Sequence, residues 1–184
     1  MPLLEISHPA IQMDLRYASA NNFTGKVIYD KAVPLLRQEA HAALMRAADL
    51  AAAQGLGMLV YDAYRPVEAQ WRLWEAVPDP LYVADPRVGS MHARGVAVDV
   101  NLTGPDGQAL DMGTGFDDLV PQSWHGRVDI PAHAQHHRAL LLGLMALAGW
   151  VHHPREWWHY NLPDPTRFAP VTSTEGAAMH LQGA

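Results

Sequence analysis

The chain has 184 residues, of which 49% are apolar and 17% charged. That is ample material for a core and argues against disorder. Its 13 basic residues are scattered among 19 acidic ones for a net charge of −6, which argues against nucleic acid or a membrane surface as a partner. Cysteine is absent, so disulfides, thiolate zinc sites, iron–sulfur clusters and cysteine nucleophiles are excluded together. The 11 histidines and 19 carboxylates remain as material for a nitrogen/oxygen metal site.

In chain order, the N-terminus Met1-Pro2-Leu3-Leu4-Glu5 carries no basic segment and no apolar run. It predicts no export signal, and hence a cytoplasmic protein, although the lack of cysteine suits an oxidising compartment equally. Leucines and alanines at helical spacing predict a helix over 34–53, with Pro34 in its first turn and Gly55 past its end. Met58-Leu59-Val60-Tyr61 reads as a strand, and residues 66–77 as a shorter helix presenting Trp71 and Trp74 on one side. From Gly95 to Leu102 the pattern alternates: Val96, Val98 and Val100 on one face, Ala97, Asp99 and Asn101 on the other. Residues 103–107 form a turn that can bring the chain back beside that strand. A helix is predicted over 131–148, and residues 150–153 and 157–161 read as the arms of a hairpin around Pro154. The longest apolar run, 139–151, has 13 residues, short of the ~20 of a membrane helix. The tail after Phe168 carries no legible chemistry and is expected to fray. Together these elements predict a single α+β domain over 1–184, with helices packed on an antiparallel central sheet.

Three segments carry chemistry. In Ser90-Met91-His92-Ala93-Arg94-Gly95-Val96-Ala97-Val98-Asp99, Asp99 sits on a strand otherwise built for burial. A carboxylate there is costly unless it is paired or bound to a cation. His92, on the loop leading into that strand, can meet Asp99 over a metal; a capped loop with a salt-bridged aspartate is the alternative. In Glu156-Trp157-Trp158-His159-Tyr160, an acid and a histidine are set among aromatics. On a flat strand Glu156 and His159 point to opposite faces. They serve one site only if Glu156 begins the strand or the backbone bulges; otherwise His159 is a satisfied histidine in a hydrophobic strand. In Tyr61-Asp62-Ala63-Tyr64-Arg65-Pro66, Arg65 is held at the rim of the sheet, where a guanidinium can stabilise an oxyanion or form a structural salt bridge. The helical His133, His136 and His137 have spacings that suit a metal, without other support. His125 could line the pocket, whereas His8, His41, His152, His153 and His180 read as surface or hairpin residues.

Taken together, these segments resemble the zinc D-alanyl-D-alanine dipeptidases, a family that includes the vancomycin-resistance dipeptidase within the Hedgehog/D,D-peptidase group. The pattern Ser-x-His-x-x-Gly-x-Ala-x-Asp is complete at 90–99 and Glu-Trp-Trp-His stands at 156–159. Asp14-Leu15-Arg16-Tyr17-Ala18, Asn22-Phe23-Thr24-Gly25 and Asp111-Met112-Gly113-Thr114-Gly115-Phe116-Asp117 extend the likeness over about 14–162. The resemblance implies a Hedgehog/D,D-peptidase-like fold and one zinc per chain held by His92, Asp99 and His159. It further implies Glu156 as catalytic base, Arg65 as transition-state stabiliser, and Asp117 as holder of the substrate amino group, with Ser90 in the same pocket. Met91 is bulkier than the serine of the resistance enzyme, and the segment before Ser90 is short.

Three protein ligands with one position for water is the pattern of a catalytic rather than a structural zinc. Two imidazoles and one carboxylate leave a net positive charge to acidify that water. The His-Glu-x-x-His helix is absent, so a thermolysin-like arrangement is excluded. The activity implied is zinc-dependent hydrolysis of the small dipeptide D-Ala-D-Ala. The rivals are a D,D-carboxypeptidase or endopeptidase acting on cell-wall peptides and a non-catalytic zinc-binding interaction domain. Asp117 argues against the first, and Glu156 with Arg65 against the second. Oligomeric state is not legible.

Overall fold

The computed structural model describes residues 3–29 and 31–171. Strand β1 (Leu3–Glu5) is followed by β2 (Ile11–Met13), β3 (Leu35–Arg37) and helix α1 (Gln38–Ala52). Strand β4 (Gly57–Asp62), helix α2 (Val67–Ala76) and strand β5 (Ala97–Thr103) follow, then helix α3 (Ala132–Leu147) and the hairpin β6 (Val151–His153) and β7 (Glu156–Asn161). The main sheet has the order β2-β4-β5-β7-β6, and β1 and β3 form a separate antiparallel pair. The α+β architecture expected from the sequence is thus present. Every pairing in the main sheet is antiparallel except the edge pair β2–β4, which is parallel.

Helix α1 packs close because its inner stripe is small. Ala40, Ala43, Leu44, Ala47, Ala48 and Ala51 are all buried, at the i, i+3, i+4, i+7 spacing of one helical face. They join Met58 and Val60 of β4, Val98, Val100 and Leu102 of β5, and Leu141, Leu144 and Met145 of α3 in the main core. The opposite face of β5 carries Asp99 and Asn101, so the strand has one face for packing and one for polar groups.

The helix expected from residue 34 begins later. Leu35, Leu36 and Arg37 are extended and pair with β1, and the Pro34 carbonyl accepts the Ile6 N–H at 2.8 Å. Leu35 and Leu36 are both buried, so tertiary pairing satisfies these backbone groups better than another helical turn. The hairpin around Pro154 forms as expected, with 154–155 as its turn. The tail expected to fray is held as far as it is described. The Val171 N–H donates to Ala93 O at 2.9 Å, Arg37 Nη2 to Ala169 O at 2.9 Å, and Arg94 Nη1 to Phe168 O at 2.5 Å. Residues 172–184, including His180, lie outside the described residues. Among the described residues no helix is long and apolar enough to cross a membrane.

These contacts clamp the turn that precedes β5. His92–Arg94 is a 3-10 turn closed by Gly95 at φ +68°, a left-handed conformation that suits glycine. A Cβ at Gly95 would lie 2.8 Å from Leu3 Cδ2 and 3.3 Å from Arg37 Cγ. Gly95→Ala is therefore expected to lower the unfolding free energy by about 1–3 kcal/mol. The readout is the urea midpoint; an unchanged midpoint would show that the turn relaxes freely.

Candidate metal centre and active site

Two strand irregularities aim side chains at one place on the polar face of the sheet. Along β4 the register shifts between Val60 and Asp62, so that Asp62 lies opposite Asp99. By simple alternation Asp62 would share the helix-facing side of Val60; the bulge turns it away. In the last hairpin the register shifts between His152 and His153, which pairs His153 with Glu156 at the start of β7. Glu156 and His159, three residues apart, thereby reach one site, with Glu156 Oε2 3.7 Å from His159 Nδ1. Both conditions named from the sequence are met: Glu156 opens the strand and the ladder is irregular there.

His92, Asp99 and His159 converge as a buried three-donor cluster. His92 Nε2 lies 3.1 Å from His159 Nδ1 and 3.3 Å from Asp99 Oδ2, and His159 Nδ1 lies 3.0 Å from Asp99 Oδ1. Tetrahedral bonds of ~2.0–2.2 Å place neighbouring donors roughly 3.3 Å apart, so the triangle has the dimensions of a zinc site. The tautomer of His92 suits that use. Its Nδ1 is 2.6 Å from the Ala63 carbonyl, which only accepts, so Nδ1 carries the hydrogen and Nε2 keeps its lone pair. Burial opposes ionisation of Asp99, but when the imidazoles are protonated the charge of His92 and hydrogen bonds from His159 and His92 outweigh it and hold the carboxyl well below the usual range; a cation bound among the donors would take the place of those protons. Burial pushes the His159 pKa down, which keeps the ring neutral and able to ligate.

Arg65 is fixed by partners that the sequence reading did not assign. Its Nε and Nη2 donate to Asp62 Oδ2 at 2.9 and 2.8 Å, and Nη1 donates to Gln70 Oε1 at 2.8 Å. Asp62 accepts from the Tyr29 hydroxyl at 2.7 Å, and Gln70 donates to Ala84 O at 2.7 Å. The guanidinium stands 4.9 Å over the Tyr17 ring, with Nη2 3.6 Å from Asp99 Oδ2. The signal for Asp62 was an acid ending a buried apolar strand. Nothing local marked Tyr29 or Gln70.

Asp117 sits on the loop between β5 and α3, with φ +60°. Aspartate is one of the few residues besides glycine that adopts this left-handed conformation readily. The loop is pinned by the buried Arg138, which donates to Met112 O, Gln122 O and Trp124 O at 2.7, 2.8 and 3.0 Å. Trp157 Nε1 adds a bond to Thr114 Oγ1 at 2.9 Å. Asp117 Oδ2 accepts from Tyr17 at 2.7 Å, and Phe116 beside it stacks on Tyr61. Withdrawal from water pushes the Asp117 pKa up to about 7; the Tyr17 hydrogen bond works against this shift and the charge of Asp99 adds to it. Burial, then the charges of Asp99 and Asp117, raise Glu156 to about 8. The acids outnumber the cations here, and a bound divalent cation would relieve their repulsion.

These residues line a cavity of about 320 Å³ that includes Arg65, Ser90, His92, Asp99, Asp117, Glu156 and His159, at the small end for ligand sites. Ser90 Oγ accepts the His92 N–H at 3.2 Å, so it also braces the turn. Met91 lines the same wall. His153, read from sequence as a hairpin residue, lines the cavity. His125 does not: it packs on the His152 ring, centroids 4.8 Å apart. His133 and His137 contact Asp111, at 2.6 Å to its carboxylate and 2.7 Å to its carbonyl.

A neutral-nitrogen and carboxylate donor triangle, flanked by an acid and an arginine inside a small cavity, defines a metallopeptidase type of site. The comparisons narrow this: residues 2–174 match the family Peptidase_M15, D-ala-D-ala dipeptidase, and the chain belongs to that family. It is 43% identical over 165 residues to the D-alanyl-D-alanine dipeptidase of Escherichia coli (strain K12), covering 90% of this chain and 86% of that protein. It is 32% identical over 181 residues to the D-alanyl-D-alanine dipeptidase of Enterococcus faecium, covering 87% and 89%. The vancomycin-resistance D,D-pentapeptidase VanY, solved with Zn(II), superposes with a TM-score of 0.47 at 18% identity, over 70% of this chain and 73% of that one.

The buried Asp62–Arg65 pair yields a test. Asp62→Ala leaves a buried guanidinium with one fewer carboxylate, and breaking such pairs typically costs about 3–5 kcal/mol. The unfolding free energy should fall by that order, and turnover should fall with it. A stable, fully active Asp62→Ala would show that Gln70 and Tyr17 suffice to hold Arg65.

Proposed function

We propose that this chain is a zinc-dependent dipeptidase that hydrolyses D-Ala-D-Ala to two D-alanines, with one zinc held by His92, Asp99 and His159. The observation that carries the reading is the meeting of that donor triangle with Glu156 and Asp117 in one small cavity. Zinc bound there supplies a Lewis acid for the peptide carbonyl and acidifies a water molecule. Glu156, 3.7 Å from His159, is placed to take the proton of the attacking water and to deliver it to the leaving amine. A divalent cation beside it would offset the charges of Asp99 and Asp117 that raise Glu156, and so favour the ionised form a base needs. Arg65, locked by Asp62 and Gln70, presents fixed positive charge to the carbonyl oxygen as it becomes negative, without reorganising. Asp117, steadied by the Tyr17 hydroxyl, receives the protonated amine. Ser90 retains its hydroxyl hydrogen for the substrate while its oxygen braces His92.

An anchor for a free amino group inside a small cavity favours the dipeptide over longer wall peptides, and a cytoplasmic location goes with such a substrate. The convergence of Glu156 and Arg65 on the donor triangle favours catalysis over a non-catalytic zinc-binding role.

Glu156→Gln keeps shape and removes the proton acceptor. Turnover of D-Ala-D-Ala should fall ~10²–10⁴-fold while zinc content, measured by elemental analysis, stays near one per chain. Wild-type turnover in a fully loaded variant would place the base elsewhere. Chelation should abolish activity and added zinc restore it, whereas Asp99→Ala should lose the metal itself. N-acetyl-D-Ala-D-Ala lacks the ammonium, so its kcat/KM should be at least ~10²-fold below that of the free dipeptide. Asp117→Ala should erase most of that preference. Comparable rates on the acetylated peptide would shift the reading to a carboxypeptidase.

A further inference from the structure

Gln70 is a primary amide on the inner face of α2, where Ala69 and Leu73 are also buried. It is only 1% exposed, and an amide so placed is costly unless its polar atoms are satisfied. Arg65 Nη1 donates to its Oε1 at 2.8 Å, and its Nε2 donates to Ala84 O at 2.7 Å. A guanidinium only donates and a backbone carbonyl only accepts, so the amide has one workable orientation. The first bond aims Arg65. The second reaches away from it, to another wall of the cavity.

Ala84 ends the run Pro80-Leu81-Tyr82-Val83-Ala84, all of which lines the cavity. The run is neither helix nor strand, and much of its hydrogen bonding is internal. The Tyr82 and Val83 N–H groups donate to Asp79 O at 3.0 and 2.9 Å, and the Leu81 N–H donates to Asp79 Oδ1 at 2.8 Å. Such bonds shape a turn but do not set its distance from the rest of the molecule. Val83, buried in one cluster with Ala69 and Leu73, and the Gln70 amide both tie it to α2. Apolar burial is non-directional, whereas the amide bond fixes a direction and a length.

Resting on the dipeptidase reading, we propose that Gln70 is a positioning residue that determines substrate length. One amide holds Arg65 toward the reacting carbonyl and draws the 80–84 wall in, so that the cavity closes on two residues. Arginine aim and cavity size are then coupled, because a shift of the wall pulls on the group that holds Arg65.

Gln70→Glu separates the two bonds. It keeps an acceptor for Arg65 and, ionised beside that guanidinium, offers Ala84 O no donor; Gln70→Leu loses both bonds. Steady-state kinetics on D-Ala-D-Ala and D-Ala-D-Ala-D-Ala are compared in the zinc-loaded wild type and both variants, with hydrogen exchange over 78–89 reporting on the wall. In Gln70→Glu the kcat/KM preference for the dipeptide should fall ~5-fold, the worth of one neutral hydrogen bond, and 78–89 should exchange faster. Gln70→Leu should show the same loss of preference with a further drop in kcat on the dipeptide, since Arg65 is released as well. An unchanged preference in Gln70→Glu, or an equal loss on both peptides, would overturn the proposal while leaving the dipeptidase reading standing. Failure of the wild type to cleave the dipeptide would instead remove that reading.

Discussion

Asp99 is buried on the central strand of the sheet, and the site is arranged around that carboxylate. A lone acid there would be expelled or protonated. It is instead met by two imidazoles, at 3.0 and 3.3 Å, and by the Arg65 guanidinium at 3.6 Å. These contacts bring together the turn before β5, the end of β4 and the start of β7. The donor triangle is therefore both a stabilising cluster and a binding site. Packed as closely as this, the three donors are suited to share a cation.

The regular parts of the sheet could not have built this site. Strict alternation would place Asp62 among the helix-facing side chains and would separate Glu156 from His159. One register shift beside β4 and another in the last hairpin redirect the two acids. Bulges of this kind re-aim single side chains without disturbing the ladder elsewhere. Arg65 gains its carboxylate partner from the first and Glu156 its place beside the donors from the second. The placement of both acids thus rests on two local departures from an otherwise ordinary sheet.

Loops complete the site, and each is tied down by buried bonds. Arg138 reaches from α3 to three carbonyls on either side of Asp117. Arg37, Arg94 and the chain at 168–171 brace the turn that carries His92. Such bonds hold irregular segments rigid at positions where the backbone has no partner strand. They also connect the catalytic wall to residues far away in sequence, which places the consequences of a substitution at Arg138 or Gly95 in the site itself.

Much of this was legible in the residues alone. Valine alternation specified β5 and the face of Asp99, and proline and glycine placement specified α1 and α3 to within a few residues, because local periodicity depends on neighbours within a few positions. The 90–99 and 156–159 segments by themselves stayed open to structural readings, and only their resemblance to a family joined them into one metal site. The short strands β1, β2 and β3 were not legible, since three-residue strands carry no period of their own and exist only through their partners. The same reason hid Tyr29 and Gln70 behind Arg65, and the turning of His153 toward the cavity. Sequence decided which imidazole, carboxylate and guanidinium groups this chain carries. Only the tertiary structure decided which of them meet, because bulges, register and loop anchoring arise from contacts between segments distant along the chain.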